Sequence, residues 1–214
     1  MATTKKVFFS EIVRGDTPVH PPKVHVLVDV NMFDCNIDAP LIHNFANNEH
    51  PGGPCSEFSP DGHFLWHDDR SKTQEDQVVT RFKEWIRFPH DLYPICTPDS
   101  IACIVHHGEP PVLTLPAPHR PRLTDPAVRQ DVIKRIHLAL FVANKMQRNL
   151  VTGLWGCGAF KANPAHMADI WKEALRTAPA APTNVFFCLS IDRFSKRWGQ
   201  SAFDAFVGLA DAFQ

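Results

Sequence analysis

The sequence predicts an α/β layered domain, and three observations predict it. Short runs of β-branched and apolar residues recur along the chain, and segments of helical periodicity lie between them. Two of those segments open on a capping residue followed by proline. Strands are expected at Val24–Val30, Leu41–Phe45, Ile101–Val105, Val112–Leu115, Leu150–Thr152 and Val185–Ile191. Stretches such as "VHVLVDV" and "VFFCLSI" carry the side chains that pack best on a pleated surface.

The helices follow from period 3.6. Val78, Val79, Phe82, Trp85 and Ile86 make one apolar face after "KTQED". Val128, Val132, Ile136, Ala139, Leu140, Ala143 and Met146 make a second. Asp125 is its expected N-cap and Pro126 its first residue, where a missing N–H costs nothing. Asn163-Pro164 repeats that signal before Met167, Ile170, Trp171, Ala174 and Leu175, and Phe203, Phe206, Val207 and Ala210 form the last face. Residues 46 to 70 follow neither period and are expected to be a long loop, either functional or disordered.

Bulk properties narrow the class. At 214 residues one domain over 1–214 is expected, with 1–25 as an N-terminal extension. A hydrophobic share of 44% suffices for a real core, and a formal net charge of -1 gives no basic field for nucleic acid or an anionic membrane. "MATTKKVFFSEIVRGD" lacks a secretory apolar core, and no run of apolar residues is long enough to span a bilayer. The six cysteines form no C-x-x-C pair, which favours a reducing compartment: cytoplasm, or nucleus if eukaryotic. No membrane contact is expected, and a monomer is.

The sequence concentrates its chemistry in "LVTGLWGCGAFKANP", where a strand breaks into Gly153, Gly156 and Gly158 before a helix start. Such a turn offers backbone N–H groups and a helix N-terminus to an anion. The spacing matches neither a Walker A loop nor the dinucleotide fingerprint. On the glycines alone two readings stand, a phosphate cradle or a tight turn that only reverses the chain. Trp155 and Phe160, read as exposed aromatics, suit a pocket that covers a nucleotide; both could equally be core.

"TGLWGCGAF" (Thr152–Phe160) resembles the diphosphate-binding loop of poly(ADP-ribose) glycohydrolases, in the macrodomain superfamily. "HNFANNEHPGG" (His43–Gly53) is similar to that family's Asn-Phe-Ala-Asn stretch and glycine turn. "SKTQED" (Ser71–Asp76) stands where the family carries Gln-Glu-Glu, and "VLTLPAPH" (Val112–His119) resembles a segment of its microbial branch. The four occur in family order between about Pro40 and Ile191; the first 25 residues and Pro54 to Arg70 are not covered. The resemblance implies a macrodomain-like three-layer α/β/α fold with a central mixed sheet. It also implies an ADP-ribosyl hydrolase acting on ADP-ribose polymers or conjugates, with ADP-ribose as ligand and product and no cofactor.

Carried over residue by residue, the resemblance puts Gly153, Trp155, Gly156, Cys157, Gly158, Ala159 and Phe160 around the diphosphate. Asn47, Gly52, Gly53 and Gln74 would hold the ribose, Phe187 would pack near the adenine, and Glu75 and Asp76 would be the catalytic carboxyls. Glycoside cleavage passes through an oxocarbenium-like state and needs an acid at the departing oxygen, which an acidic pair could supply. On residue type alone, "QED" reads as a solvated first helical turn. Two departures stand out: Pro54 replaces the third glycine, and Asp76 is one methylene shorter than the family's catalytic glutamate. A weakened enzyme that reads ADP-ribose, or an NAD-derived ligand, is therefore the alternative. His63 and His67, or His106 and His107, show no metal-binding pattern, and no metal is expected. Cys157 has no partner base and is also read as a small side chain packed under the loop.

Overall fold

The apolar runs pair into a mixed sheet. The computed structural model describes residues 4–12, 20–46, 56–58, 64–66, 96–97, 99–158, 160–189 and 200–214. Its strands in chain order are β1 (Thr4–Phe8), β2 (Lys23–Val28), β3 (Pro40–Asn44), β4 (Ser56–Phe58), β5 (Phe64–Trp66), β6 (Ala102–His106), β7 (Val112–Thr114), β8 (Asn149–Thr152) and β9 (Asn184–Leu189). The main sheet has the order β1-β6-β7-β3-β8-β9-β2. From β7 through β2 neighbours are parallel, while β1, β6 and β7 pair antiparallel at the other end.

The three helices expected in the described part form: α1 (Pro126–Lys145), α2 (Pro164–Thr177) and α3 (Gln200–Asp211). Asp125 caps α1 by accepting from the Ala127 N–H at 2.8 Å, and Asn163 caps α2 by accepting from the His166 N–H at 3.1 Å. The helix expected around Val78 to Ile86 lies outside the described residues.

Three expectations shift. Within residues 46 to 70, read as a loop, β4 and β5 pair as an antiparallel hairpin, Ser56 opposite Trp66 and Phe58 opposite Phe64. "FLW" is too short for its strand character to show as a period. The N-terminal residues expected as an extension supply β1, which pairs with β6 along its whole length. β2 stops two residues early, because Asp29 turns to a φ of 56° and leaves extended geometry.

The three helices share one core with one face of the sheet. Ile136 and Ala139 of α1, Ile170 and Trp171 of α2 and Phe206 of α3 are fully buried with Leu41, Leu113, Leu150 and Val185. Side chains alternate across a strand, so Ile42, Val112 and Val151 point the other way and form a second cluster with Met32. This α/β arrangement around a mixed sheet is the predicted fold class.

Candidate functional site

Parallel strands place their C-terminal ends side by side, and connections after them are where such sheets bind ligands. β3 ends at Asn44, β7 at Thr114 and β8 at Thr152, and the glycine loop leaves β8 at Gly153 to reach α2 at Pro164. Each glycine in it has its own physical reason. A Cβ on Gly153 would stand 2.8 Å from the Cys188 carbonyl oxygen of β9, too close for any side chain. Gly156 has a φ of 79°, and its Cβ would meet the Ala117 Cβ at 3.1 Å. Gly158 is exposed, and a Cβ there would meet nothing within 4 Å among the described residues.

The loop's backbone is polarised. Five of its carbonyls accept from backbone N–H groups: Gly153 accepts from the Trp155 N–H (2.9 Å), Leu154 from Cys157 (3.0 Å) and Gly156 from Ala162 (3.0 Å). Gly158 accepts from Lys161 at 3.2 Å and Phe160 from Arg120 at 2.8 Å. The N–H groups of Gly156, Gly158 and Phe160 have no acceptor among the described residues. A turn that ties up its oxygens and leaves amides unclaimed is suited to an anion.

Beneath the loop lies a buried polar network that the sequence did not announce. The Trp155 indole is fully buried and donates its Nε1–H to the Leu115 carbonyl at 2.9 Å. His43, also buried, places Nε2 at 3.3 Å from the same carbonyl and Nδ1 at 3.0 Å from the Thr152 hydroxyl. A carbonyl only accepts, so Nε2 carries the proton and Nδ1 accepts from Thr152. Burial lowers the His43 pKa to about 4, against the smaller opposing pull of the Leu115 carbonyl, so the ring is neutral at pH 7. Its ring meets Phe45 edge-on at 5.2 Å and lies tilted against Trp155 at 5.5 Å. Next to it Asn44, fully buried, donates Nδ2–H to the Thr114 hydroxyl at 3.2 Å.

These positions correct two expectations, for Trp155 and Phe187, and fit one of the two readings of Cys157. Trp155 is not an exposed aromatic: the indole fills the core below the loop, and the N–H that remains to its backbone goes to Gly153. Cys157 has a buried side chain, as its reading as a small residue packed under the loop expected, with its thiol 3.8 Å from the Trp155 carbonyl and its N–H given to Leu154. Both residues shape the loop from below. Phe187 is no adenine platform, because it is fully buried between Trp171 (5.0 Å between ring centroids) and Phe206 (5.8 Å). Phe160 is half-buried and meets His119 edge-on at 5.4 Å at the loop's outer end.

Asn47, Gly52, Gly53, Gln74, Glu75, Asp76 and Ala159 lie outside the described residues. Among the described residues no three His, Cys, Asp or Glu side chains gather as a metal ion would require, and no helix is long and apolar enough to cross a membrane. The one sign of His43 in the sequence is its place at a strand end in "HNFANN"; its hydrogen-bond partners are remote in the chain.

Among solved structures, the chain is similar to poly(ADP-ribose) glycohydrolase from Thermomonospora curvata. That match has TM-score 0.61 and 18% identity, and covers 96% of this chain and 85% of that one. A variant of the Deinococcus radiodurans glycohydrolase in complex with ADP-ribose matches with TM-score 0.60 and 18% identity, covering 95% and 94%. The Thermomonospora curvata enzyme bound to the inhibitor ADP-HPD matches with TM-score 0.57 and 19% identity, covering 96% and 84%. No protein-family model and no curated protein sequence matches. At these identities the likeness shows the fold alone: a macrodomain-like α/β domain, as in these solved structures.

Proposed function

We propose that this chain is an ADP-ribosyl hydrolase that binds the ADP-ribose diphosphate on the loop from Gly153 to Phe160. The observation that carries the reading is the loop's backbone, with the carbonyls of Gly153, Leu154, Gly156, Gly158 and Phe160 taken by backbone N–H groups and the amides of Gly156, Gly158 and Phe160 unclaimed among the described residues. The loop stands in a fold whose solved neighbours include complexes with ADP-ribose. A diphosphate held by amides needs no bulky cation, and its charge meets the positive end of α2.

In this reading Asn47 and the Gly52-Gly53 turn hold the ribose, with Gln74 in support. Asp76, or Glu75 beside it, protonates the glycosidic oxygen as the ribose bond breaks, then helps water attack the sugar. The chain works as a monomer over residues 1–214, away from membranes, on poly(ADP-ribose) or an O-linked ADP-ribosylated acceptor, without a metal. Incubation of purified protein with poly(ADP-ribose) and with mono-ADP-ribosylated protein should release free ADP-ribose. Asp76→Asn or Glu75→Gln should abolish the release. Intact substrates in the presence of ADP-ribose binding would remove the hydrolase reading.

A second reading is favoured by Pro54 and Asp76, the two departures from the family pattern. Pro54 lacks a backbone N–H, and a carboxyl misplaced by about 1 Å can cost about 10²-fold in rate. Under it the chain reads ADP-ribose without cleaving it. Affinity measured by calorimetry would then survive Asp76→Ala.

A further inference from the structure

His43 lies under the cradle, not in it, and reaches three neighbouring strand ends at once. It sits on β3, contacts the hydroxyl that ends β8 and meets the carbonyl just past β7. That carbonyl, Leu115, also takes the indole N–H of Trp155. Two donors thus share one carbonyl oxygen, which has two lone pairs to offer. An apolar side chain could fill the same buried space without the cost of desolvating a ring with two polar ends. What only the imidazole provides is a rigid link that accepts at one end and donates at the other.

The link bears on the loop through Trp155. The indole is fully buried, so its backbone cannot move without withdrawing a large ring from the core. The Trp155 N–H also holds the Gly153 carbonyl, which fixes the exit from β8. We propose that His43 is the positioning residue of the glycine loop, holding the amides of Gly156 and Gly158 in register through the Leu115 carbonyl and the Trp155 indole. The ligand end of this inference rests on the ADP-ribose reading; the loop end does not.

The test uses the full chain with His43→Phe, which keeps a ring against Phe45 and Trp155 but removes both hydrogen bonds. His43→Gln, which restores a donor and an acceptor, is the rescue variant. Two readouts are taken: amide hydrogen exchange of residues 153–160 against that of α1, and ADP-ribose affinity by calorimetry. His43→Phe should speed exchange in the loop while leaving α1 protected, and should weaken ADP-ribose about tenfold, as expected for a lost buried hydrogen bond. His43→Gln should recover most of both. Trp155→Phe, which deletes the indole N–H together with part of the ring that fills the core, should loosen the same amides and stands in if His43→Phe does not fold.

Loop exchange and affinity within about twofold of the parent protein in both variants overturn the proposal, since so small a change is below the worth of one such bond. Exchange that rises equally in the loop and in α1 also overturns it, because His43 would then be a general core residue. Should the parent protein itself not bind ADP-ribose, the functional reading fails, and selective loosening of the loop still decides the role of His43.

Discussion

The Cα of Gly153 passes so close to the backbone of Cys188 that a Cβ would stand 2.8 Å from the Cys188 carbonyl oxygen. The contact joins the exit of β8 to the end of β9, both central strands, so neither partner can give way cheaply. Gly153→Ala should therefore cost about 1–3 kcal/mol of stability, the range for overpacking a rigid site. Urea unfolding checks this; a loss below about 0.5 kcal/mol, the range of an ordinary surface change, would mean that the strand ends yield.

The other two glycines separate folding from binding. Gly156 takes a φ of 79° with Ala117 at 3.1 Å, so Gly156→Ala should lose about 1–3 kcal/mol through backbone strain alone. Gly158 has no neighbour within 4 Å of its Cβ position among the described residues and no left-handed backbone, so Gly158→Val should change stability by no more than about 0.5 kcal/mol. If the open side is where the diphosphate lies, Gly158→Val should still weaken ADP-ribose about tenfold or more. Calorimetry on both variants decides it. Unchanged affinity in Gly158→Val would place the ligand elsewhere.

Buried histidines give stability a predictable pH dependence. His43 has a pKa of about 4 when folded and an ordinary 6.5 when unfolded, because burial disfavours its charged form. Between those values the unfolded chain binds more protons, so stability rises with pH. The His43 contribution is complete above pH 6.5, lost progressively as pH falls, and gone below about 4. Over that window it amounts to about 3 kcal/mol, taking one pKa unit as about 1.4 kcal/mol. Among the described residues, its hydrogen-bond and ring partners Thr152, Leu115, Phe45 and Trp155 are uncharged. His137 on α1, lowered by burial while held by the Ala174 carbonyl of α2, acts in the same direction. Denaturant unfolding between pH 4.5 and 7 should therefore show a shallower slope in His43→Gln than in the parent, with the His137 part remaining. Equal slopes would count against a neutral buried His43.

What was legible in the sequence divides along a physical line. α1 and α2 were readable because caps are local: Asp125-Pro126 and Asn163-Pro164 satisfy orphan amides within three residues of themselves. The glycine loop was readable as a feature, since a strand that ends in three closely spaced glycines has few uses. The depth of Trp155 was not readable. Its burial depends on His43 of β3 and Leu115 just past β7, and no window around "GLWGCG" contains them. β1 was missed because "TKKVF" is short and carries two adjacent lysines, and it is a strand only because β6 offers it partners.

Phe187 shows the same limit and supports a sharper test. "VFFCL" is apolar at every position, as buried parallel strands are, so period 2 gives no sign of which phenylalanine faces the helices. The structure resolves it: Val185, Phe187 and Leu189 point into the helical core, while Phe186 turns to the other face and stacks on His25 at 4.5 Å. A ring closed in by Trp171 and Phe206 has no face left for an adenine. Phe187→Ala should therefore cost about 3–5 kcal/mol, as for a phenylalanine deleted from a well-packed core. The fraction that remains folded should bind ADP-ribose within about twofold of the parent, because the lost contacts are with α2 and α3, not with ligand. An adenine platform predicts the reverse, a small loss of stability with a large loss of affinity. Unfolding curves and calorimetry on the same preparation separate the two outcomes.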